Sequence, residues 1–542
     1  MLPRKNRTFG LIIVALVPLM TVAGTPRDVV EAIDVLSYSL SIELASNADT
    51  IVARTEIRLT IGADGTDQLH FDLVGMIVDS TLVDAEAASF RQGPTGLAVD
   101  MNRQRAVGDT LRVDVYYHGA PADGLIFRRN EYGRPTVFAD NWPARARFWF
   151  PCIDHPRDKA AVEFRVSAPA EWSVVANGRL TETKALGEGR KLTVWRAEVP
   201  IPVYTMVVGA AEMVVREVGT FCADGRERCV PIIQWSFRED EARAAQFFRR
   251  APEVVALFDS LIGPYPYEKL ALVQSTTRYG GMENASAIFF REQLSEGRRG
   301  EGLVAHEIAH QWFGDAVTER EWPHLWLSEG FATYFASVFF EFVDGETAAR
   351  GDRVDHEARY MASLEDVRRP IIAAEPDDLF QLLNANNYQK GAWVLHMLRR
   401  LIGDEAFFDG IRRYYAEFLH GTALSADLRC VMEASSGEDL GWYFDQWLRR
   451  PGYPDVDVRA RWDDAARVLE LRVTQSQSWP SFRFPLRIDA DGEDFSLTRT
   501  YWIEERETRF EWSMPGEPAA VIVDPENALL GPTEVVMETA GE

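Results

Sequence analysis

The sequence predicts a multidomain α+β protein, β-rich at both ends and mainly helical between them. Three changes of hydrophobic period carry that expectation. From about residue 35 to about 210, apolar residues alternate with polar ones. From about 240 to about 450 they recur at three- and four-residue spacing, and after Pro451-Gly452-Tyr453-Pro454 the alternation returns. With 542 residues there is length for several domains, each with its own core. Hydrophobic residues make up 46% and charged residues 26%, which excludes disordered and collagen-like classes. Lys and Arg number 58 against 83 Asp and Glu, a net charge of −25. Nucleic acid is not an expected partner, because phosphate contact needs clustered basic side chains.

Taken in chain order, Arg4, Lys5 and Arg7 precede an apolar run from Leu11 to Met20, followed by Ala23 and Gly24. This is the pattern of a secretory signal peptide, so residues 1–24 are expected to direct export to the periplasm or the extracellular space. The run is shorter than the ~20 residues that span a bilayer. Membrane attachment is therefore expected only if the segment stays uncleaved. Tyr38, Leu40, Ile42 and Leu44 alternate with polar neighbours, as do Ile57, Leu59 and Ile61, and Leu111, Val113, Val115 and Tyr117. These read as half-buried antiparallel strands. Cys222 and Cys229 bracket a polar segment holding the turn signal Asp224-Gly225, and a disulfide across that hairpin is expected in an oxidising compartment. Cys152 and Cys430 are expected to be buried free thiols. Helical spacing marks Asp240 to Ile262 (whole or divided at Pro252), Glu301 to Gly314, Ser328 to Phe342, Ala392 to Leu401 and Glu405 to Phe418. Asp491-Gly492 signals a hairpin in the last β region.

The chemistry sits in the helical middle. His306-Glu307-Ile308-Ala309-His310 fits H-E-x-x-H, and residues four apart on a helix share one face, so both imidazoles can reach one ion. A catalytic zinc takes three protein ligands and keeps one position for water. The metzincin continuation would place Gly and His at Phe313 and Ala316, so that class fails. A carboxylate from a second helix is the remaining solution, with Asp315, Glu319, Glu321 and Glu329 downstream. Glu329 stands near the start of an amphipathic helix. Glu319 and Glu321 flank a turn and are expected to be solvated charges. His324 falls in a segment read as loop, with a surface or supporting role.

His306-Glu307-x-x-His310, eighteen residues and then Glu329 resembles the gluzincin aminopeptidase family typified by aminopeptidase N, which also contains leukotriene hydrolase. Gly280-Gly281-Met282-Glu283-Asn284 is similar to the family's exopeptidase motif, with Gly281 where Ala is commoner. Tyr388-Gln389-Lys390-Gly391 resembles its catalytic-tyrosine motif, and Phe150-Pro151-Cys152-Ile153-Asp154 its N-terminal-domain signature. The resemblance implies an antiparallel β saddle domain over 25–212, a thermolysin-like, mainly helical catalytic domain over 213–448 and a small β-sandwich over 449–542. It leaves no length for the large helical C-terminal domain of many relatives.

The same resemblance implies one Zn²⁺ per chain held by His306, His310 and Glu329, with Glu307 as general base and Tyr388 as hydrogen-bond donor to the oxyanion. Gly280, Gly281, Met282, Glu283 and Asn284 would bind a peptide with a free N-terminus. One position departs: the family's second amine-binding Glu or Gln falls at Trp142, whose indole only donates. Asn141 or Asp140 could take its place, or the site could work with fewer anchors. The alternatives are an epoxide hydrolase acting on a lipid and an inactive peptide-binding relative. The latter would have lost a ligand or the base, and all four positions are filled.

Overall fold

The computed structural model describes residues 25–538 except 26, 64–66 and 224–228. The expected signal segment, 1–24, lies outside these described residues. Alternation at the start of the chain produces an eight-stranded sheet running from Arg179–Gly187 at one edge to Glu86–Ala88 at the other. Leu40, Ile42, Ile57, Leu59, Val113 and Val115 are all buried, as their spacing requires. The pairing is antiparallel with one exception. Ile33–Glu43 lies parallel to Lys159–Pro169, because the chain builds most of the domain before returning beside its first strand.

The helical region follows the predicted pattern. Glu241–Phe247 and Ala251–Leu261 are separate helices, with Pro252 in the first turn of the second, where its missing N–H costs nothing. Gly297–His310, Trp326–Asp344, Gly391–Ile402 and Asp404–Phe418 complete the expected set. Glu346–Ala362 was not singled out, since it is largely polar and buries only Ala349, Arg353 and Tyr360. A five-stranded sheet was also missed, in the order Val214–Phe221, Val230–Ser236, Leu270–Ser275, Ala287–Arg291, Gly281–Met282. Leu270–Ser275 is buried on both faces and so has no alternation to read. The C-terminal strands form sheets of four and three, a small sandwich. Among the described residues, no helix is long and apolar enough to cross a membrane.

Cys222 and Cys229 are joined in a disulfide, and Cys152 is a buried free thiol. Cys430 corrects the expectation: it is exposed, on the outer face of the helix Ser425–Ser436.

The N-terminal β domain braces the helical one with polar ties rather than apolar contact alone. Lys159 is half-buried and donates to the carbonyls of Asp315 (2.9 Å), Ala316 (2.9 Å) and Gly421 (3.0 Å). The hydroxyl of Tyr204 donates to Gly314 O at 2.9 Å, and the Asn177 amide to Ala285 O at 2.7 Å. These groups hold the turn after His310 and the turn after Glu283. Lys159→Met should therefore take a charged donor from three carbonyls, of which Asp315 O and Gly421 O keep a second donor in Thr318, and lower stability by about 1.5–3 kcal/mol. Urea unfolding of both proteins measures this, and an unchanged midpoint would remove Lys159 from the account.

Candidate active site

Three side chains converge where the helix Gly297–His310 meets the helix Trp326–Asp344. His306 and His310 stand one turn apart, and their Nε2 atoms are 3.1 Å from each other. Glu329 Oε2 lies 3.3 Å from His306 Nε2 and 3.4 Å from His310 Nε2. Ligands bound at ~2.05 Å in tetrahedral geometry sit about 3.3 Å apart, so this triangle already has the size of a zinc ligand set. The tautomer agrees. His310 Nδ1 faces the carbonyl of Phe313 and the hydroxyl of Ser328, each at 3.0 Å; a carbonyl only accepts, so Nδ1 carries a proton and Nε2 is the nitrogen that would face an ion.

One close helix crossing fixes the carboxylate. A Cβ on Gly330 would stand 2.9 Å from the backbone of Gly391, and one on Gly391 would stand 3.0 Å from Gly330 Cα. That approach of bare backbones brings Tyr388, in the π-helical turn Asn386–Lys390, against the Glu329 helix. The Tyr388 hydroxyl donates to Glu329 Oε1 at 2.7 Å, leaving Oε2 for the imidazoles. Its ring stacks on His306, with centroids 6.1 Å apart.

Glu283 follows the edge strand Gly281–Met282, as expected for a site that pairs with extended chain. Gln311 ties it in place by donating to Glu283 O and to Asp315 Oδ2, each at 2.7 Å. A Cβ on Gly281 would fall 2.2 Å from Glu307 Oε1, so the glycine leaves room for that carboxylate. One ligand-type atom from each of Glu283, Glu307 and His310 also lies within 4.8 Å of the others, so the two constellations form one cluster sharing His310.

The electrostatics of this cluster are lopsided. Burial pushes Glu283 up to about 7, Glu329 adding repulsion against the pull of His310. Burial also raises Glu307 well above the carboxylate range, with Glu283 and Glu329 contributing. It opposes the charge on Glu329 too, but His310 and His306 outweigh it and hold that carboxyl low. Burial and Glu329 together keep the Tyr388 phenol protonated. Among the described residues, no Lys or Arg pairs with any of the three acids. A dication is the group that fits.

A cleft of about 960 Å³ opens on this cluster. His306, His310, Glu329, Glu307, Tyr388 and the stretch Gly280–Glu283 all line it. Asn284 corrects the expectation for the exopeptidase motif: it is buried and does not line the cleft, because the chain turns inward there and Asn284 O accepts from Ala287 N. Asp140 and Asn141 cannot replace the missing amine anchor. Asp140 is buried against Arg145, and the Asn141 amide is spent on Met206 O, Val203 O and Trp149 Nε1. Trp142 itself lines the cleft.

Glu319 is the clearest correction. Expected in solvent, it is buried in the short strand Thr318–Glu319, which pairs with Thr422–Ala423. Burial raises its carboxyl to about 8, with Glu283 and Glu329 adding to the effect. Glu321 is half-buried, Asp315 is fully buried and bonded to Gln311, and His324 faces Ser425 at 2.8 Å. None of these joins the ligand triangle. Sequence reasoning missed Gln311 and Ser328, which lack any spacing signal beyond standing next to His310 and Glu329.

Comparison with known proteins agrees with this geometry. Residues 251–447 match the Peptidase family M1 domain, and residues 35–205 match the Peptidase M1 N-terminal domain. Two models of one family thus cover most of the chain, and the chain belongs to the peptidase M1 family. It is 28% identical to tricorn protease-interacting factor F2 of Thermoplasma acidophilum over 74% of this chain and 51% of that protein. It is 29% identical to aminopeptidase M1-A of Oryza sativa subsp. japonica over 59% of this chain and 37% of that protein. The fold resembles aminopeptidase A of Legionella pneumophila, solved with aspartic acid (TM-score 0.81, 17% identity, 93% of this chain and 60% of that one). It also resembles an M1 zinc metallopeptidase of Deinococcus radiodurans, solved with Tyr-Ser-Ala (TM-score 0.67, 24% identity, 78% of this chain and 95% of that one). The chain spans about half the length of tricorn protease-interacting factor F2.

The triangle generates a direct expectation. After dialysis, Glu329→Ala should lose zinc while Glu319→Gln keeps it, because only Glu329 offers an oxygen to both imidazoles. Plasma emission spectrometry reads both proteins. Full zinc in the first variant, or loss in the second, would overturn the assignment.

Proposed function

We propose that this protein is a zinc aminopeptidase that removes N-terminal residues from peptides, with one zinc held by His306, His310 and Glu329. The observation that carries this reading is the placement of Glu283. Its carboxylate lines the same cleft as the ligand triangle and shares a 4.8 Å cluster with Glu307 and His310. A free α-amino group is cationic near neutral pH, so an acid at that distance selects a chain end over a chain interior. A bound zinc supplies Lewis acidity, polarising the scissile carbonyl and acidifying a water.

The other steps belong to side chains. Glu307 accepts a proton from the attacking water and delivers it to the leaving amine nitrogen. Tyr388, kept protonated, turns its hydroxyl from Glu329 toward the developing oxyanion and donates to it. The edge strand Gly281–Met282 offers unpaired backbone groups to the extended substrate. With Asp140 and Asn141 committed elsewhere, Glu283 acts as the ammonium anchor without a second acceptor at Trp142. Charged residues along the cleft favour a peptide over a lipid epoxide. The Cys222–Cys229 disulfide supports export of the chain to an oxidising compartment, with 1–24 as the signal.

Glu283→Ala should slow cleavage of free-amine substrates about ten- to hundredfold, the worth of a charged hydrogen bond of about 1.5–3 kcal/mol, with zinc content intact. Glu307→Gln should keep zinc and lose turnover. Kinetics on one peptide with a free and an acetylated N-terminus check the reading. Equal cleavage of the two forms by the wild-type enzyme would end it.

A further inference from the structure

The cleft does not stop at the metal cluster. It runs back along the helix Gly297–His310 to that helix's first turn, with the helix Glu346–Ala362 as its opposite wall. Arg299 stands on the first wall, Arg359 on the second, and Arg291 ends the strand beside the edge strand. All three are exposed, all three line the cleft, and none has a hydrogen bond or ion pair from its side chain to a described residue. The neighbouring Arg298 shows the contrast. It is held by Asp344 and Asp352 and lies on the ring of Phe340, so the nearby acids are already engaged. Of the remaining acids on the cleft wall away from the metal cluster, Asp366 accepts from Ser363 and from the Ala385 backbone, and Asp355 alone is unpaired. With the other acids engaged, three unpaired arginines face one unpaired carboxylate at this end of the cleft.

Two rulers give its distance from the metal cluster. Arg299 precedes His306 by two helical turns, or about 10.5 Å. On the strand side, the Arg291 backbone N–H donates to Gly280 O, and Gly280 lies three extended residues, about 10 Å, before Glu283. The helix and the strand thus bring the backbones of Arg299 and Arg291 to similar distances, and Arg359 lines the same cleft.

We infer that Arg299 and Arg359, with Arg291, form a docking site for the free C-terminal carboxylate of a short peptide whose N-terminus is held by Glu283. This inference rests on the aminopeptidase reading and adds a length rule to it. An extended chain advances ~3.3 Å per residue, so a scissile carbonyl at the metal cluster and a carboxylate about 10 Å away define substrates of roughly three or four residues. The acid at one end and the arginines at the other match the dipole of a zwitterionic peptide.

The test uses the intact zinc enzyme and three substrates: tri-alanine, its C-terminal amide, and alanine aminomethylcoumarin amide, which has no carboxylate to dock. The wild-type enzyme should cleave the free acid about ten- to hundredfold more efficiently than the amide, as a charged hydrogen bond predicts. The double variant Arg299→Ala/Arg359→Ala should bring that ratio close to one while leaving zinc content and coumarin release unchanged. A wild-type ratio near one, with all three substrates cleaved, overturns the inference and leaves the aminopeptidase reading standing. A ratio that survives in the double variant also overturns it. Failure of the wild-type enzyme on all three would overturn the activity itself and this inference with it.

Discussion

The structure is organised around a charge imbalance. Glu283, Glu307 and Glu329 are buried within one cluster, with only two imidazoles beside them and no lysine or arginine paired to any of the three among the described residues. Burying like charges is costly unless a counter-charge accompanies them. Glu329 resolves its share by pairing with the two histidines, while Glu283 and Glu307 are pushed toward protonation. A dication bound by the triangle would reverse that push, releasing Glu307 to act as a base and Glu283 to hold an ammonium group.

Much of the surrounding fold serves to keep these groups from relaxing apart. The Gly330–Gly391 crossing sets the distance between the Glu329 helix and the Tyr388 turn, and no larger residue fits there without separating them. Gln311 links the motif helix to the backbone of Glu283. From the N-terminal domain, Lys159, Tyr204 and Asn177 bond to carbonyls on either side of the site. The β domain is thus part of the active-site scaffold.

The legibility of the sequence followed the range of the forces involved. His306, Glu307 and His310 were readable because helical spacing is local, and Glu329 because it opens an amphipathic helix at the right remove. The division at Pro252 was likewise local. Glu319 was not readable: its burial depends on pairing with Thr422–Ala423, about a hundred residues away. Asp140 and Asn141 looked available beside Trp142 until tertiary structure engaged them with Arg145 and with the Val203 and Met206 carbonyls. Cys430 followed a general tendency of free thiols to be buried and proved an exception. The five-stranded sheet escaped because a strand buried on both faces carries no period-two signal.

The central claim is that two imidazoles and one carboxylate, all from the helices Gly297–His310 and Trp326–Asp344, hold a zinc ion. Zinc-edge X-ray absorption on the purified, zinc-loaded protein tests it most directly. The account predicts scattering from two imidazole rings with only nitrogen and oxygen neighbours at ~2.0–2.1 Å. Sulfur at ~2.3 Å, or a shell with fewer than two imidazoles, would contradict it.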